Sequence, residues 1–204
     1  MHANPRFAWT DRAAMRAFVR DQSFGALFLE APEGPRVAHM PAIFLGPETL
    51  GFHFSRGNAL VPHLDGARAL FVVQGVHGYV SPDYYGQDDQ VPTWNYVAVE
   101  LEGTVQRMER AALMAQIDAL SAEHEARLAP KPAWTRDKMT AGLADKMATA
   151  IIGFTLDIAQ WRGTRKLGQN RTRDARAGAA AGLAAAGQAD LAMLMRDAMD
   201  EVGS

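Results

Sequence analysis

The 204-residue sequence contains no cysteine. That absence excludes disulfide bonds, cysteine nucleophiles and zinc–thiolate sites, and it favours a reducing compartment. No apolar run approaches the ~20 residues that a membrane-spanning helix requires, so we expect no membrane association. The first residues include no apolar segment of the kind that a secretory signal peptide carries. We therefore expect a cytoplasmic protein.

An excess of charge of one sign is also lacking. With 21 Lys plus Arg and 23 Asp plus Glu, the formal net charge is −2, so the whole-protein field does not attract a polyanion. One basic patch spans residues 162–176 and consists of Arg162, Arg165, Lys166, Arg171, Arg173 and Arg176. Such a charge run is typical of a solvated strand end and helix start, and a phosphate site or a direct DNA contact are the open alternatives.

The motifs of several enzyme classes are missing as well. The glycine patterns of Walker and Rossmann nucleotide sites do not occur, nor do H-E-x-x-H and G-x-S-x-G. The four histidines between residues 39 and 77 never have the i,i+4 spacing that places two ligands on one helix face, so we predict no metal site. No side chain stands out as an acid–base catalyst, and the catalytic residues stay unknown.

Alternation of apolar and polar residues predicts about six β-strands in hairpin order. The predicted strands are 24–31, 36–45, 49–55, 69–74, 97–105 and 151–161. Pro41 interrupts the second strand, which predicts an edge strand, a bulge or a ligand contact, because proline cannot donate to a ladder. Helical periodicity and capping residues predict helices at 11–22, 58–64, 110–127, 135–148, 172–185 and 188–201. These elements indicate an α+β protein with a closed or partly closed antiparallel barrel.

All four tyrosines and one tryptophan lie within residues 79–96. The segment is polar and contains two prolines, so it is not built like a core element. Rings with a polar tip suit a surface that is half dry and half wet, such as a ligand pocket or a subunit interface. Rings that only cap the barrel are the alternative.

The turn at residues 55–58 supplies a hydroxyl, a guanidinium, a glycine and an amide directly after an apolar strand. A short helix follows, whose first amides we expect to be free. Together these groups match what a terminal phosphate requires. Ordinary capping of a strand–turn–helix joint is the alternative for the same residues.

Five segments, in order, resemble the PaiB-type family of FMN-binding negative transcriptional regulators. They are 37–41, 55–58, 71–82, 91–96 and 166–171. The most specific pieces read Tyr-Val-Ser-Pro, Val-Pro-Thr-Trp-Asn-Tyr and Lys-Leu-Gly-Gln-Asn. The resemblance implies an antiparallel split β-barrel of about six strands, of the kind shared with pyridoxamine-phosphate oxidases, with peripheral helices and a C-terminal helical pair. It also implies a homodimer with FMN in clefts between the subunits.

The resemblance implies three groups of cofactor-binding residues. His39, Met40 and Pro41 would lie along the flavin. The phosphate would be held by Ser55, Arg56 and Asn58. The cleft would be closed by Tyr79, Trp94, Tyr96, Lys166 and Gln169. The sequence departs from the expected family pattern at Asp83 and Tyr84 in place of a Ser-Trp pair, at Gly168 in place of serine and at Glu100 in place of histidine.

The implied domain organisation has an FMN-binding barrel at residues 1–170, with a helical excursion at 110–148. C-terminal helices at 171–204 would pack on the barrel or the dimer. The implied function is an FMN-binding dimeric regulator, with direct DNA binding depending on the basic patch. The alternatives are a flavin-dependent oxidoreductase of a small molecule, and a haem-binding protein with His39, His53 or His77 as a ligand.

Overall fold

A computed structural model of the chain describes residues 3–200, which fall into two compact units. Unit 1 consists of the described parts of Met1–Met15, Gln74–Val99 and Arg162–Ser204. Unit 2 consists of Arg16–Val73 and Glu100–Trp161. The domain boundaries predicted above stay a prediction.

The described residues contain one eight-stranded sheet. Its strands are β1 (Ala8–Trp9), β2 (Phe24–Ala31), β3 (Gly34–Pro41), β4 (Ile43–Phe44), β5 (Thr49–Ser55), β6 (Arg68–Val80), β7 (Thr93–Arg107) and β8 (Ile151–Lys166). Their order is β3-β2-β6-β7-β8-β5-β4, and β1 pairs with β8 off that path. Six of the strands have at least seven residues and two have only two, which confirms the predicted antiparallel sheet of about six strands.

Helices precede, interrupt and follow the strands. They are α1 (Arg12–Gln22), α2 (Val61–Leu64), α3 (Arg110–Ala126), α4 (Leu143–Met147), α5 (Arg173–Ala185) and α6 (Ala189–Asp200). Short 3₁₀ turns lie at Pro5–Phe7, Pro82–Tyr85, Arg136–Lys138 and Ala148–Ala150. Across residues 3–200, no helix has the length and apolar character needed to cross a bilayer. The last residue of the final predicted helix, Glu201, lies outside the described residues.

The β2–β3 hairpin of unit 2 places Pro41 on an edge strand. The two strands pair antiparallel, from Phe24 opposite Pro41 to Ala31 opposite Gly34. Because β3 ends the strand order, proline's missing donor costs the sheet no hydrogen bond on the outer side. The predicted edge position is therefore confirmed.

Three phenylalanines form the aromatic centre of unit 2. Phe52 and Phe54 lie two residues apart on β5, and Phe154 lies opposite Phe52 on β8. Their ring centroids are 5.9 to 6.3 Å apart, and each side chain is at most 4% exposed. Aromatic pairs at this spacing add about 0.5–1.5 kcal/mol beyond the area that they bury. This cluster fixes β5 and therefore the position at which its last residue, Ser55, enters the following turn.

Two predicted helices are wrong in extent. The segment 135–148 forms a 3₁₀ turn and the short helix α4, because Gly142 adopts a left-handed conformation with φ +75° between them. The helix predicted at 58–64 begins only at Val61, because the Asn58 Oδ1 atom accepts a hydrogen bond from the Leu60 amide and stabilises a turn instead.

Candidate functional site

The turn after β5 holds Arg56 in a fixed position within unit 2. The Arg56 amide donates to the Ala150 carbonyl at 2.8 Å, and the Arg56 Nε atom donates to the Thr149 carbonyl at 3.0 Å. The two Nη atoms of Arg56 have no partner among residues 3–200. The Asn58 side-chain nitrogen likewise remains available, because only the Asn58 oxygen is used, in the bond to Leu60. Several donors therefore stand together at this exposed turn.

A cavity of about 480 Å³ adjoins the Arg56 side chain. Arg107 and Arg110 also line it, together with Asp65 and Glu109. The Arg110 guanidinium donates to the Asp145 carbonyl at 2.6 Å, whereas the Arg107 guanidinium bonds to no described residue. The volume falls within the roughly 300–1,000 Å³ typical of small-molecule pockets. Unit 2 thus presents two guanidinium groups with unused donors to a ligand-sized space.

The amides at the start of α2 are not free, so that expectation was wrong. The Val61 amide donates to the Asn58 carbonyl at 3.1 Å, and the Leu60 amide donates to the Asn58 side chain at 2.9 Å. Pro62 has no amide hydrogen. The unused donors at this turn are therefore side chains rather than a helix N-terminus.

The three predicted residues on β3 point to two different faces. Met40 is 4% exposed and packs in the core, whereas His39 is exposed and Pro41 is half-buried. Successive side chains alternate across a strand, so His39 and Pro41 share the outer face. A ligand on that face could contact Met40 only through its backbone.

The outer face of the β2–β3 hairpin carries four apolar side chains beside the exposed His39. Phe24 is 55% exposed, Phe28 42% and Val37 46%. Phe24 lies opposite Pro41, and Phe28 lies opposite Val37. We call these four side chains the hairpin patch. A contiguous apolar patch is a common feature of interaction surfaces.

In unit 1, Tyr79 and Trp94 form an exposed pair of rings. Tyr79 is 47% and Trp94 50% exposed, and their ring centroids lie 6.4 Å apart at an angle of 64°. The Trp94 Nε1 atom donates to the His77 Nδ1 atom at 3.2 Å, so the proton of a neutral His77 sits on Nε2. Tyr96 is half-buried on the same face of β7 as Trp94. These rings therefore lie outside the core, on parts of β6 and β7 that extend beyond the predicted strands 69–74 and 97–105.

Tyr85 behaves differently from those rings because it is only 4% exposed. Burial raises the pKa of its hydroxyl above 10.0, while the charge of Arg171 and a hydrogen bond to it act in the opposite direction. The Arg171 guanidinium carbon lies 4.9 Å from the centre of the Tyr85 ring. Arg171 also donates to the Gln90 side chain at 2.5 Å.

Lys166 is the last residue of β8, and Gln169 lies in the loop that follows it in unit 1. The Gln169 amide nitrogen donates to the Arg165 carbonyl at 2.6 Å, and its oxygen accepts from the Leu167 amide at 2.8 Å. Gln169 therefore stabilises its own loop. The Lys166 Nζ atom donates to the Thr93 hydroxyl at 2.8 Å, and burial, followed by the charge of Arg171, lowers the Lys166 pKa.

A second cavity, of about 160 Å³, lies beside this loop. It is lined by Lys166, Arg171, Tyr85 and Asn95, among others. Sequence reasoning did not assign Asn95 to a site. The available signal was its place on β7, where a polar residue occupies an inward position of an otherwise apolar alternation.

The basic patch is not a uniform exposed surface. Arg176 is 5% exposed within α5, and the Arg165 guanidinium lies 5.4 Å from the centre of the Trp9 ring. Lys166 and Arg171 line the second cavity. The charges available to a long polyanion are therefore fewer than the sequence suggested.

The three histidines considered as haem ligands have different surroundings. The His53 Nδ1 atom is 3.2 Å from the Gln116 side-chain oxygen, and His77 accepts the bond from Trp94. His39 is exposed on the hairpin. Within the described part of the chain, no three His, Asp or Glu side chains cluster as a metal site would require.

Comparison with known proteins places these features in a family. Residues 1–160 match the family model described as "Putative FMN-binding domain". The chain is 27% identical over 175 residues to "Protease synthase and sporulation protein PAI 2" of Bacillus subtilis, covering 84% of this chain and 83% of that protein.

Two solved structures share the fold. The FAD and haem binding protein of Mycobacterium smegmatis has a TM-score of 0.60 at 21% identity, covering 78% of this chain and 73% of its own. The flavocytochrome Anf3 of Azotobacter vinelandii has a TM-score of 0.58 at 18% identity, covering 84% and 72%. The predicted split-barrel fold class is thereby confirmed. The chain belongs to the FMN-binding domain family of which the PaiB-type proteins are members, and FMN is the cofactor of that family.

Proposed function

We propose that this protein binds FMN and that the turn after β5 holds its phosphate. The observation that carries the proposal is the pair of guanidinium groups, Arg56 and Arg107, whose donors are unused beside a 480 Å³ cavity. Guanidinium groups match the geometry of phosphate oxygens and form the stronger, charge-assisted class of hydrogen bond. Ser55 and Asn58 add a hydroxyl and an amide at the same turn.

The space around the turn also suits a phosphate. A Cβ atom built on Gly57 would meet no atom within 4 Å, so a ligand can approach the backbone there. The Nε bond from Arg56 to the Thr149 carbonyl fixes the direction of the guanidinium plane. A donor that is already oriented loses less conformational entropy on binding.

On β3 of unit 2, His39 and Pro41 would contact the flavin ring, because both side chains lie on the outer face of the strand. Bound FMN supplies hydride or electron transfer, while the chain supplies binding and orientation. The cofactor-binding roles of Met40, Tyr79, Trp94, Tyr96, Lys166 and Gln169 stay predictions.

We further propose that the protein is a homodimer, with the flavin in a cleft between subunits. The support is the hairpin patch, whose large apolar side chains are 42–55% exposed in the single chain. Such exposure is costly unless a partner covers it. The regulatory role, the direct DNA contact and the cytoplasmic location rest on the sequence alone.

The test of FMN binding is the visible spectrum of the purified protein with added FMN. We expect a bound-flavin spectrum, and we expect Arg56→Ala to weaken FMN binding about tenfold to hundredfold, as loss of a charge-assisted hydrogen bond implies. The matched control is Arg68→Ala, which removes a mostly exposed arginine paired with Glu102 in the same unit. Urea unfolding of each variant separates loss of binding from loss of fold.

Absence of a bound-flavin spectrum at micromolar FMN would contradict the proposal, as would equal FMN affinity of Arg56→Ala and the wild-type protein. The same spectra test the haem alternative. The names of the two structural relatives describe those proteins as a haem-binding protein and a flavocytochrome. A Soret band on addition of haem, lost on replacement of His39, His53 or His77, would favour that alternative instead.

A further inference from the structure

The 160 Å³ cavity of unit 1 has the composition of an anion site. It is smaller than the roughly 300 Å³ at which small-molecule pockets begin, yet about ten times the space that one water needs. Two cations, Lys166 and Arg171, line it, and none of the residues that line it is an Asp or a Glu. The lining of this cavity therefore carries positive charge only.

Both cations retain hydrogen-bond donors that a ligand could use. The Lys166 Nζ atom uses one of its three donors on the Thr93 hydroxyl, and Arg171 uses two of its five donors, one on Gln90 and one on the Tyr85 hydroxyl. Arg171 contributes to the lowered pKa of Lys166, so the two charges lie near enough to repel. An anion between them would relieve that repulsion.

Asn95 supplies an independent observation. Asn95 is among the residues that line the cavity and is 1% exposed, and its Oδ1 atom has no hydrogen-bond partner among residues 3–200. Its nitrogen contacts only the Met195 sulfur, a weak acceptor, at 3.3 Å. Buried polar atoms are almost always paired, so the unpaired Asn95 Oδ1 atom favours a ligand that carries a hydrogen-bond donor.

These groups distinguish between classes of anion. An ionised carboxylate only accepts hydrogen bonds, and it would leave the Asn95 oxygen unpaired. A protonated phosphate combines negative oxygens for the two cations with a hydroxyl for Asn95. We propose that this cavity binds a phosphate group, held by Lys166 and Arg171 and oriented by Asn95. The site lies in unit 1 and is distinct from the Arg56 turn of unit 2.

The test is calorimetric titration of the full chain with inorganic phosphate in a phosphate-free buffer. Titrating the Arg56→Ala protein removes the contribution of the proposed FMN phosphate site, and we expect one phosphate per chain to bind in that background. A second substitution in the Arg56→Ala protein, either Lys166→Met or Arg171→Gln, should weaken phosphate binding about tenfold or more. Arg196→Gln, which removes an exposed arginine on α6, is the charge-matched control and should bind phosphate unchanged.

A second titration, with FMN present at saturation in the wild-type protein, identifies the source of the phosphate. Continued binding of inorganic phosphate at this cavity identifies a free phosphate ligand. Loss of all phosphate binding in the FMN-saturated protein, but not in the riboflavin-saturated protein, shows that the flavin's own phosphate occupies this cavity, and it overturns the claim that the site is distinct from the Arg56 turn. Failure of the Arg56→Ala protein to bind phosphate overturns the proposal, as does wild-type-like binding in both Lys166→Met and Arg171→Gln. Neither result bears on FMN binding itself.

Discussion

Tyr85 is the one tyrosine of the 79–96 segment that lies in the core. Its ring is 4% exposed, whereas Tyr79 is 47% exposed. Burial without a charge partner would disfavour the phenolate form, and Arg171 partly offsets that effect from above the ring. The segment therefore contains one core ring, the exposed rings of Tyr79 and Trp94, and the half-buried rings of Tyr84 and Tyr96, a distinction that residue type alone does not give.

We predict that Arg171→Gln raises the pKa of Tyr85 further, because the substitution removes the cation that lowers it. The folded-state pKa is above the unfolded value of 10.0, so the stability that Tyr85 contributes is complete below about pH 10 and is lost as the pH rises through the folded pKa. The measurement is the phenolate absorbance of each protein minus that of its Tyr85→Phe counterpart. A Tyr85 titration midpoint that falls or stays unchanged in the Arg171→Gln protein would show that Arg171 does not act on this hydroxyl. The control is Arg196→Gln, which should leave the Tyr85 midpoint unchanged.

Helix α5 docks on the aromatic segment through two glycines one turn apart. A Cβ atom on Gly178 would lie 2.5 Å from the Tyr84 carbonyl oxygen, and one on Gly182 would lie 2.4 Å from the Tyr84 ring. No real Cβ atom tolerates such distances, so either the helix or the Pro82–Tyr85 turn would have to move. The Ala-rich helix is thus adapted to a close contact within unit 1.

We predict that Gly178→Ala destabilises the protein, although the same change stabilises an unhindered helix by about 1 kcal/mol. The clash is with backbone, and overpacking typically costs about 1–3 kcal/mol. Urea unfolding measures the difference, with Ala177→Ser at an exposed neighbouring position of α5 as the control. A Gly178→Ala protein more stable than the wild type would show that the helix does not pack this closely.

Elements with a strong local signal were predictable from the sequence. Period-two alternation located the long strands, and Thr172 was predicted at the start of α5, where its hydroxyl accepts a hydrogen bond from the Ala175 amide at 3.3 Å. The helix expected at 135–148 failed because its apolar spacing does not reveal that Gly142 adopts φ +75°. Local patterns report periodicity, whereas backbone conformation at a single glycine depends on tertiary contacts.

The candidate sites were predictable only in part. The turn containing Ser55, Arg56 and Asn58 combines phosphate-binding residue types within four positions, so its composition alone indicated a site. Arg107 and Asn95 come from distant parts of the chain and reach their cavities only through the fold. Asn95 has no local signature except a polar side chain at an inward strand position, and Arg107, which is exposed at the end of β7, has none.

At the scale of the whole molecule, we predict a homodimer that depends on the hairpin patch. Phe28→Glu places a charge among exposed apolar side chains, so it should shift the protein toward monomer and weaken FMN binding with it. Sedimentation velocity measures the first effect and a flavin titration the second. The control is Leu128→Glu, which alters a side chain that is 54% exposed and lies two residues after the end of α3. A wild-type protein that sediments as a monomer would contradict the dimer.

The central claim is that this chain recognises FMN through its phosphate at Arg56. FMN and riboflavin differ only by that phosphate, so their dissociation constants isolate its contribution. We predict that the wild-type protein binds FMN at least about tenfold more tightly than riboflavin, and that Arg56→Ala reduces this preference while leaving riboflavin affinity unchanged. Equal wild-type affinity for FMN and riboflavin, or an Arg56→Ala protein that weakens both alike, would contradict the account.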